Sequence, residues 1–123
     1  MQTIDTLISA RWVIPVEPDG KTLDHHSIAV HGGKIVEVLP AKDATKKYRA
    51  TETVDLKQHA IIPGFVNAHT HAAMSLFRGM ADDLPLMDWL QNHVWPAEAK
   101  WVSPEFVHDG SELAIAEMLK SGT

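Results

Sequence analysis

The sequence predicts an α/β protein: a β-rich first sixty residues leading into the opening of a β/α fold. Three observations carry this expectation. Up to about residue 60, short apolar stretches alternate with turn residues. A nearly continuous apolar run then spans Ala60 to Ala68, as in a strand covered on both faces by helices. From Ala72 onward helical pieces and loops alternate, and the last segment has the composition of a capped helix.

Thr6 to Val16 holds two apolar stretches, Leu7-Ile8 and Trp12-Val13-Ile14, stopped by Pro15 and by Pro18-Asp19-Gly20. Ser27 to His31 alternates, with Ile28 and Val30 on one face, and Lys34 to Leu39 reads as its partner strand. Gly32-Gly33 between them is a hairpin signal, because a two-residue primed turn needs positive φ. Ala41 to Thr51 is charged, with room for a short helical turn, and Thr53 to Leu56 reads as another strand. Together these form a small sheet or sandwich layer.

In the second half, Pro63-Gly64 marks the start of the buried strand. Asp82 to Pro85 is a loop leading into a helix near Leu86 to Val94, which Pro96 ends or kinks. Ser103 is a good N-cap, Pro104 suits the first helical position, and Glu105 favours the first turn. Phe106, Ala114, Ile115, Met118 and Leu119 form the expected apolar stripe, and Gly122 the C′ residue. The chain stops at Thr123, where a following strand is expected, so it reads as the start of a larger protein.

Composition narrows the function. The 123 residues carry a net charge of −5, without the basic stripe that nucleic acid requires. No apolar run reaches the ~18 residues that would span a membrane. The N-terminus lacks the basic and apolar regions of a signal peptide, so the cytoplasm is the expected location. There is no cysteine, so a metal must be held by His, Asp or Glu, which suits zinc or another borderline divalent ion.

Of eight histidines, only His69 and His71 have ligand spacing in a fitting context. On a strand, residues two apart share a face, so both imidazoles can reach one ion. Catalytic zinc takes about three protein ligands and keeps an open position. A metal-free, hydrogen-bonded pair has the same spacing. His25, His26, His31, His59 and His108 are expected in surface or capping roles.

The stretch Ile61-Ile62-Pro63-Gly64-Phe65-Val66-Asn67-Ala68-His69-Thr70-His71 resembles the amidohydrolase superfamily. The likeness continues through Ala72 to Leu84 and on to Trp89-Leu90, in the branch of adenosine-type and triazine-type hydrolases. It covers essentially the whole chain, but only about the first quarter of such a protein. The resemblance implies a (β/α)₈ barrel preceded by a β-sandwich segment. Residues 1–60 would form that segment, and residues 61–123 the first strand and helices of a barrel left incomplete. His69 and His71 would be metal ligands, with one zinc ion per active site and the other ligands beyond this chain. Glu98 would accept hydrogen bonds from the ribose hydroxyls of a nucleoside, and Trp89 would line its pocket. A carboxylate suits a vicinal diol, because it accepts two hydrogen bonds. The bland alternatives are a solvated helix-end charge for Glu98 and a core aromatic for Trp89. Asn67 is expected to support the strand end, and Arg78 to pair with Asp82 or Asp83. No proton-transfer residue is expected among these residues.

The implied reaction is hydrolytic deamination of an adenosine-type nucleoside, such as 5-methylthioadenosine or S-adenosylhomocysteine, to the inosine form. A triazine-type or other nucleobase aminohydrolase is the alternative. The implied partners are the nucleoside, the rest of the barrel and further copies of the protein, without nucleic acid or membrane. Alone, 123 residues with half a ligand set are expected to be inactive, and a non-enzymatic fragment remains the rival of a different class.

Overall fold

A computed structural model describes residues 1–123. They divide into two compact units, Met1–Pro63 and Gly64–Thr123.

The first unit is built on one four-stranded sheet. Its strands are β1 (Gln2–Val13), β2 (Leu23–His31), β3 (Lys34–Pro40) and β4 (Tyr48–Ile61), in the order β3-β2-β1-β4. β1 is antiparallel to β2, and β2 to β3, whereas β4 runs parallel to β1. A parallel return needs a crossover, which β2, β3 and the short helix α1 (Ala41–Lys47) supply.

The β2–β3 hairpin turns where Gly32-Gly33 indicated. His31 pairs with Lys34, and the two glycines take φ of 59° and 72°, both in the left-handed region that such a turn requires. The Asp5 carboxylate fastens the turn. It accepts from the Gly32 amide at 2.7 Å and from His31 Nδ1 at 3.1 Å.

Ala44 of α1 and Tyr48 close a core with Ile4, Leu7, Ala29 and Leu39, and a second cluster joins Ala10, Val13 and Ile28. Fully buried Ser27 is satisfied by the Ser9 hydroxyl at 2.7 Å, as a buried polar group must be. Beside α1, Glu37 accepts from the Tyr48 hydroxyl at 2.6 Å and from Lys47 Nζ at 2.9 and 2.8 Å.

β4 extends well beyond the Thr53–Leu56 expected. Its ladder with β1 pairs Gln2 with Tyr48 and runs to Val13 with Ile61. Tertiary pairing thus recruits polar residues that propensity alone leaves out. The register slips between Ala10 and Trp12, whose partners are Leu56 and Ala60, so Gln58 and His59 fall in the irregularity. The expected sandwich is represented here by a single mixed sheet.

The second unit contains no strand. A 3₁₀ helix (Ala72–Phe77) is followed by α2 (Leu86–Asp88), a π-helical turn (Trp89–Val94), α3 (Trp95–Trp101) and α4 (Pro104–Ser121). The buried strand expected over Ala60–Ala68 is therefore corrected. β4 ends at Ile61, and residues 62–71 are exposed, with Phe65 at 64% and Val66 at 91%. The physical reason is pairing. Pro63 has no amide hydrogen, and no strand of this unit offers a ladder to residues 64–71.

Pro96 does not end its helix. The chain is helical from Leu86 to Trp101, and the wide π turn lies immediately ahead of the proline. Proline removes a donor and crowds the carbonyl four residues back, and a wider turn accommodates both.

α4 is capped as expected. Ser103 Oγ accepts from the Phe106 amide at 3.1 Å. At the other end Gly122 has φ 87°, its amide reaches Leu119 O at 3.4 Å, and Thr123 N reaches Met118 O at 2.9 Å. That pair of bonds is a Schellman motif. The buried stripe differs from expectation. Gly110 and Ala114 are buried, and Phe106 and Met118 half-buried, whereas Ile115 and Leu119 are 51% and 71% exposed. Gly110 lies against the 3₁₀ helix so closely that a Cβ there would sit 2.5 Å from Ala73 O. That contact selects the 106-110-114-118 row as the inner face.

Candidate metal and substrate site

The segment carrying the two histidines is held by local bonds. Phe65 N donates to Gly122 O at 2.7 Å, and Asn67 Nδ2 lies 3.5 Å from Met118 Sδ. Asn67 Oδ1 accepts from the His69 amide at 3.1 Å, a side-chain turn that brings the chain round at His69. His71 then caps the 3₁₀ helix, its carbonyl accepting from Met74 N at 2.9 Å.

The result brings the two imidazoles together without a strand. Their Nε2 atoms are 3.2 Å apart, with ring centroids at 5.3 Å and planes inclined by 51°. Two nitrogens bound at 2.0–2.1 Å to a tetrahedral ion would lie roughly 3.3 Å apart. The pair therefore fits one divalent ion, though a single N–H···N bond between neutral rings has similar length. No group of three or more His, Cys, Asp or Glu side chains stands ready to hold a metal. The residues present supply two donors.

His71 also lines a concave pocket of about 410 Å³, with Met74, Phe77, Arg78, Met80 and Trp89 around it. The pocket thus joins a metal-capable histidine to an apolar, aromatic wall, the usual make-up of a small-molecule site. Half-buried Trp89 opens the π turn and forms part of this wall. Glu98, half-buried on α3, is not among the lining residues.

Arg78 does not pair with Asp82 or Asp83. Its Nη1 and Nη2 donate to Glu117 Oε1 and Oε2 at 2.9 and 2.6 Å. Asp83 lies at positive φ, 61°, in the loop just beyond. The guanidinium holds the Glu117 carboxyl below its ordinary value, and Glu117 raises that of Arg78 in return. The sequence offered no signal for this pair, whose members are 39 positions apart. Gly110 did leave one: a glycine inside a helix weakens it by about 1 kcal/mol, so it implies a packing reason.

Known proteins match this sequence over nearly its whole length. A 5-methylthioadenosine/S-adenosylhomocysteine deaminase of Saccharophagus degradans is 50% identical over 97% of this chain and 27% of its own length. A 5'-deoxyadenosine deaminase of Methanococcoides burtonii is 45% identical over 97% of this chain and 26% of its own. Among solved structures, an adenosine deaminase from Xanthomonas campestris with bound zinc matches at TM-score 0.91 and 53% identity, over 99% of this chain and 28% of that one. An atrazine chlorohydrolase from Arthrobacter aurescens, at TM-score 0.77 and 21% identity over 95% of this chain and 27% of that one, shares the fold. The chain thus spans about a quarter of the length of the curated relatives it matches. Residues 60–123, just over half of the chain and the part that holds the paired histidines and the pocket, match the amidohydrolase family, and the chain belongs to that family.

Proposed function

We propose that this chain is the N-terminal part of a zinc-dependent hydrolase that deaminates an adenosine-type nucleoside, 5-methylthioadenosine or S-adenosylhomocysteine, to its inosine form. The observation that carries the reading is the 3.2 Å approach of His69 and His71 Nε2, with His71 in the wall of the Trp89 pocket. In the whole protein one ion would be held by these two histidines together with ligands from later in the sequence. Such an ion supplies Lewis acidity and an acidified water at neutral pH. This chain's own contribution is to hold two ligands in place, to offer Trp89 as a face for the base, and to offer Glu98 as acceptor for the ribose diol.

The same reading assigns residues 1–60 to a β-sandwich and residues 61–123 to the first strand and helices of a (β/α)₈ barrel. The exposed apolar run at 62–71 supports it, since a parallel strand is stable only when paired and covered. The remainder of the barrel is then the partner that covers it. No helix is long and apolar enough to cross a membrane. A cytoplasmic homo-oligomer completes the reading.

The test is the parent enzyme assayed on 5-methylthioadenosine, S-adenosylhomocysteine, adenosine and a triazine. Glu98→Gln is expected to lower kcat/KM on the nucleosides by roughly 10- to 100-fold, the loss of a hydrogen bond to a charged acceptor. An unchanged kcat/KM removes the ribose role from Glu98, and preference for the triazine removes the nucleoside reading. Residues 1–123 alone are expected to show no turnover.

A further inference from the structure

The 3₁₀ helix that follows His71, and the pocket wall after it, are attached to α4 at three levels. Gly110 lets the backbones meet at Ala73. Phe77 and Phe106 pack with rings tilted by 38°, 4.8 Å between centroids. Beyond them, Arg78 grips Glu117 through two parallel bonds. The first two contacts are packing and fix where the helices cross. The third is different in kind. Arg78 is itself a lining residue of the pocket that His71 and Trp89 share, so its position sets the shape of that wall.

We propose that Arg78 and Glu117 are positioning residues of this site: their ion pair fixes the width of the pocket beside His71. A guanidinium–carboxylate fork constrains distance and angle together, which a lysine cannot do. With two nitrogens committed to Glu117, the guanidinium is turned toward α4 and frames the cavity without reaching for its occupant. The two side chains are 63% and 46% exposed, so the pair is screened and adds little to global stability. Its effect is local, on the wall that a substrate must meet. The proposal rests on the deaminase reading above.

The test uses the whole parent enzyme with Glu117→Gln and Arg78→Lys, two variants in case one folds poorly. Steady-state kinetics on 5-methylthioadenosine would be combined with Co(II) substitution, read by its visible spectrum, and with Tm. The expected result is a KM raised about two- to fivefold, the scale of an exposed ion pair, with kcat within about twofold and Tm nearly unchanged. High salt should raise the wild-type KM toward that of the variants and leave theirs in place, because it screens only an intact pair. An unchanged KM in both variants overturns the proposal. So does a parallel fall of kcat and Tm, the mark of a merely structural pair. A wild type that binds Co(II) but turns over no nucleoside defeats the deaminase reading alone. The clamp is then judged by the Co(II) spectrum, shifted in both variants if it holds and identical if it does not. A wild type that binds no Co(II) overturns both.

Discussion

At Gly110 the absence of one methyl group decides how closely two helices meet. Alanine would favour the helix by about 1 kcal/mol. Its Cβ, however, would press on Ala73 O at 2.5 Å, against backbone that cannot rotate away. Overpacking of this kind costs about 1–3 kcal/mol, so Gly110→Ala is expected to lower the urea midpoint. A midpoint that rises would show that the 3₁₀ helix and α4 are free to separate. Glu117 is the other residue whose environment makes a prediction. The Arg78 guanidinium depresses its carboxyl below the ordinary value of 4.5. A depressed folded value means stability that is present above the unfolded value and lost as pH falls through the folded one. The difference in urea midpoint between wild type and Glu117→Gln should therefore be small, as for any exposed pair, constant near neutrality, and vanish as pH drops below 4.5. A difference that grows in acid would show that the pair does not stabilise the fold.

Elements are legible in the sequence where local chemistry alone decides them. Gly32-Gly33 needs only the left-handed backbone to specify a hairpin. Ser103, Pro104 and Gly122 need only the orphan amides and carbonyls of a helix to set both ends of α4. Ser103→Ala is accordingly expected to cost about 1 kcal/mol, read as a lower thermal midpoint for the unit that holds α4. No loss would mean that water caps Phe106 N as well as the hydroxyl does. Elements are illegible where a distant partner decides them. β4 is fourteen residues long because β1 offers a ladder from end to end. The run at 64–71 has the look of a strand end, but no strand of its unit pairs with it. Pro96 indicates a helix end or a kink, and the choice between them rests on the π turn that accommodates it.

At the scale of the molecule, the candidate site is half legible. The His69–Thr70–His71 spacing predicts two imidazoles on one face, and the structure brings the Nε2 atoms to 3.2 Å by a turn at Asn67 instead of by strand alternation. Trp89 and His71 line the same pocket, whereas Glu98 lies outside it. The Arg78–Glu117 pair and the Gly110 contact are not legible, since both depend on how α4 docks. The chain supplies two histidine donors and one pocket wall, and the curated relatives it matches are about four times its length. The proposed reading has these two histidines grip the ion of a nucleoside deaminase. It is tested most directly by metal analysis of the parent enzyme and its His71→Ala variant, with 5-methylthioadenosine turnover measured on the same samples. The expected result is bound zinc and deamination in the wild type, and loss of both, by at least about 100-fold in turnover, in the variant. A His71→Ala enzyme that keeps its zinc and its rate would contradict the claim.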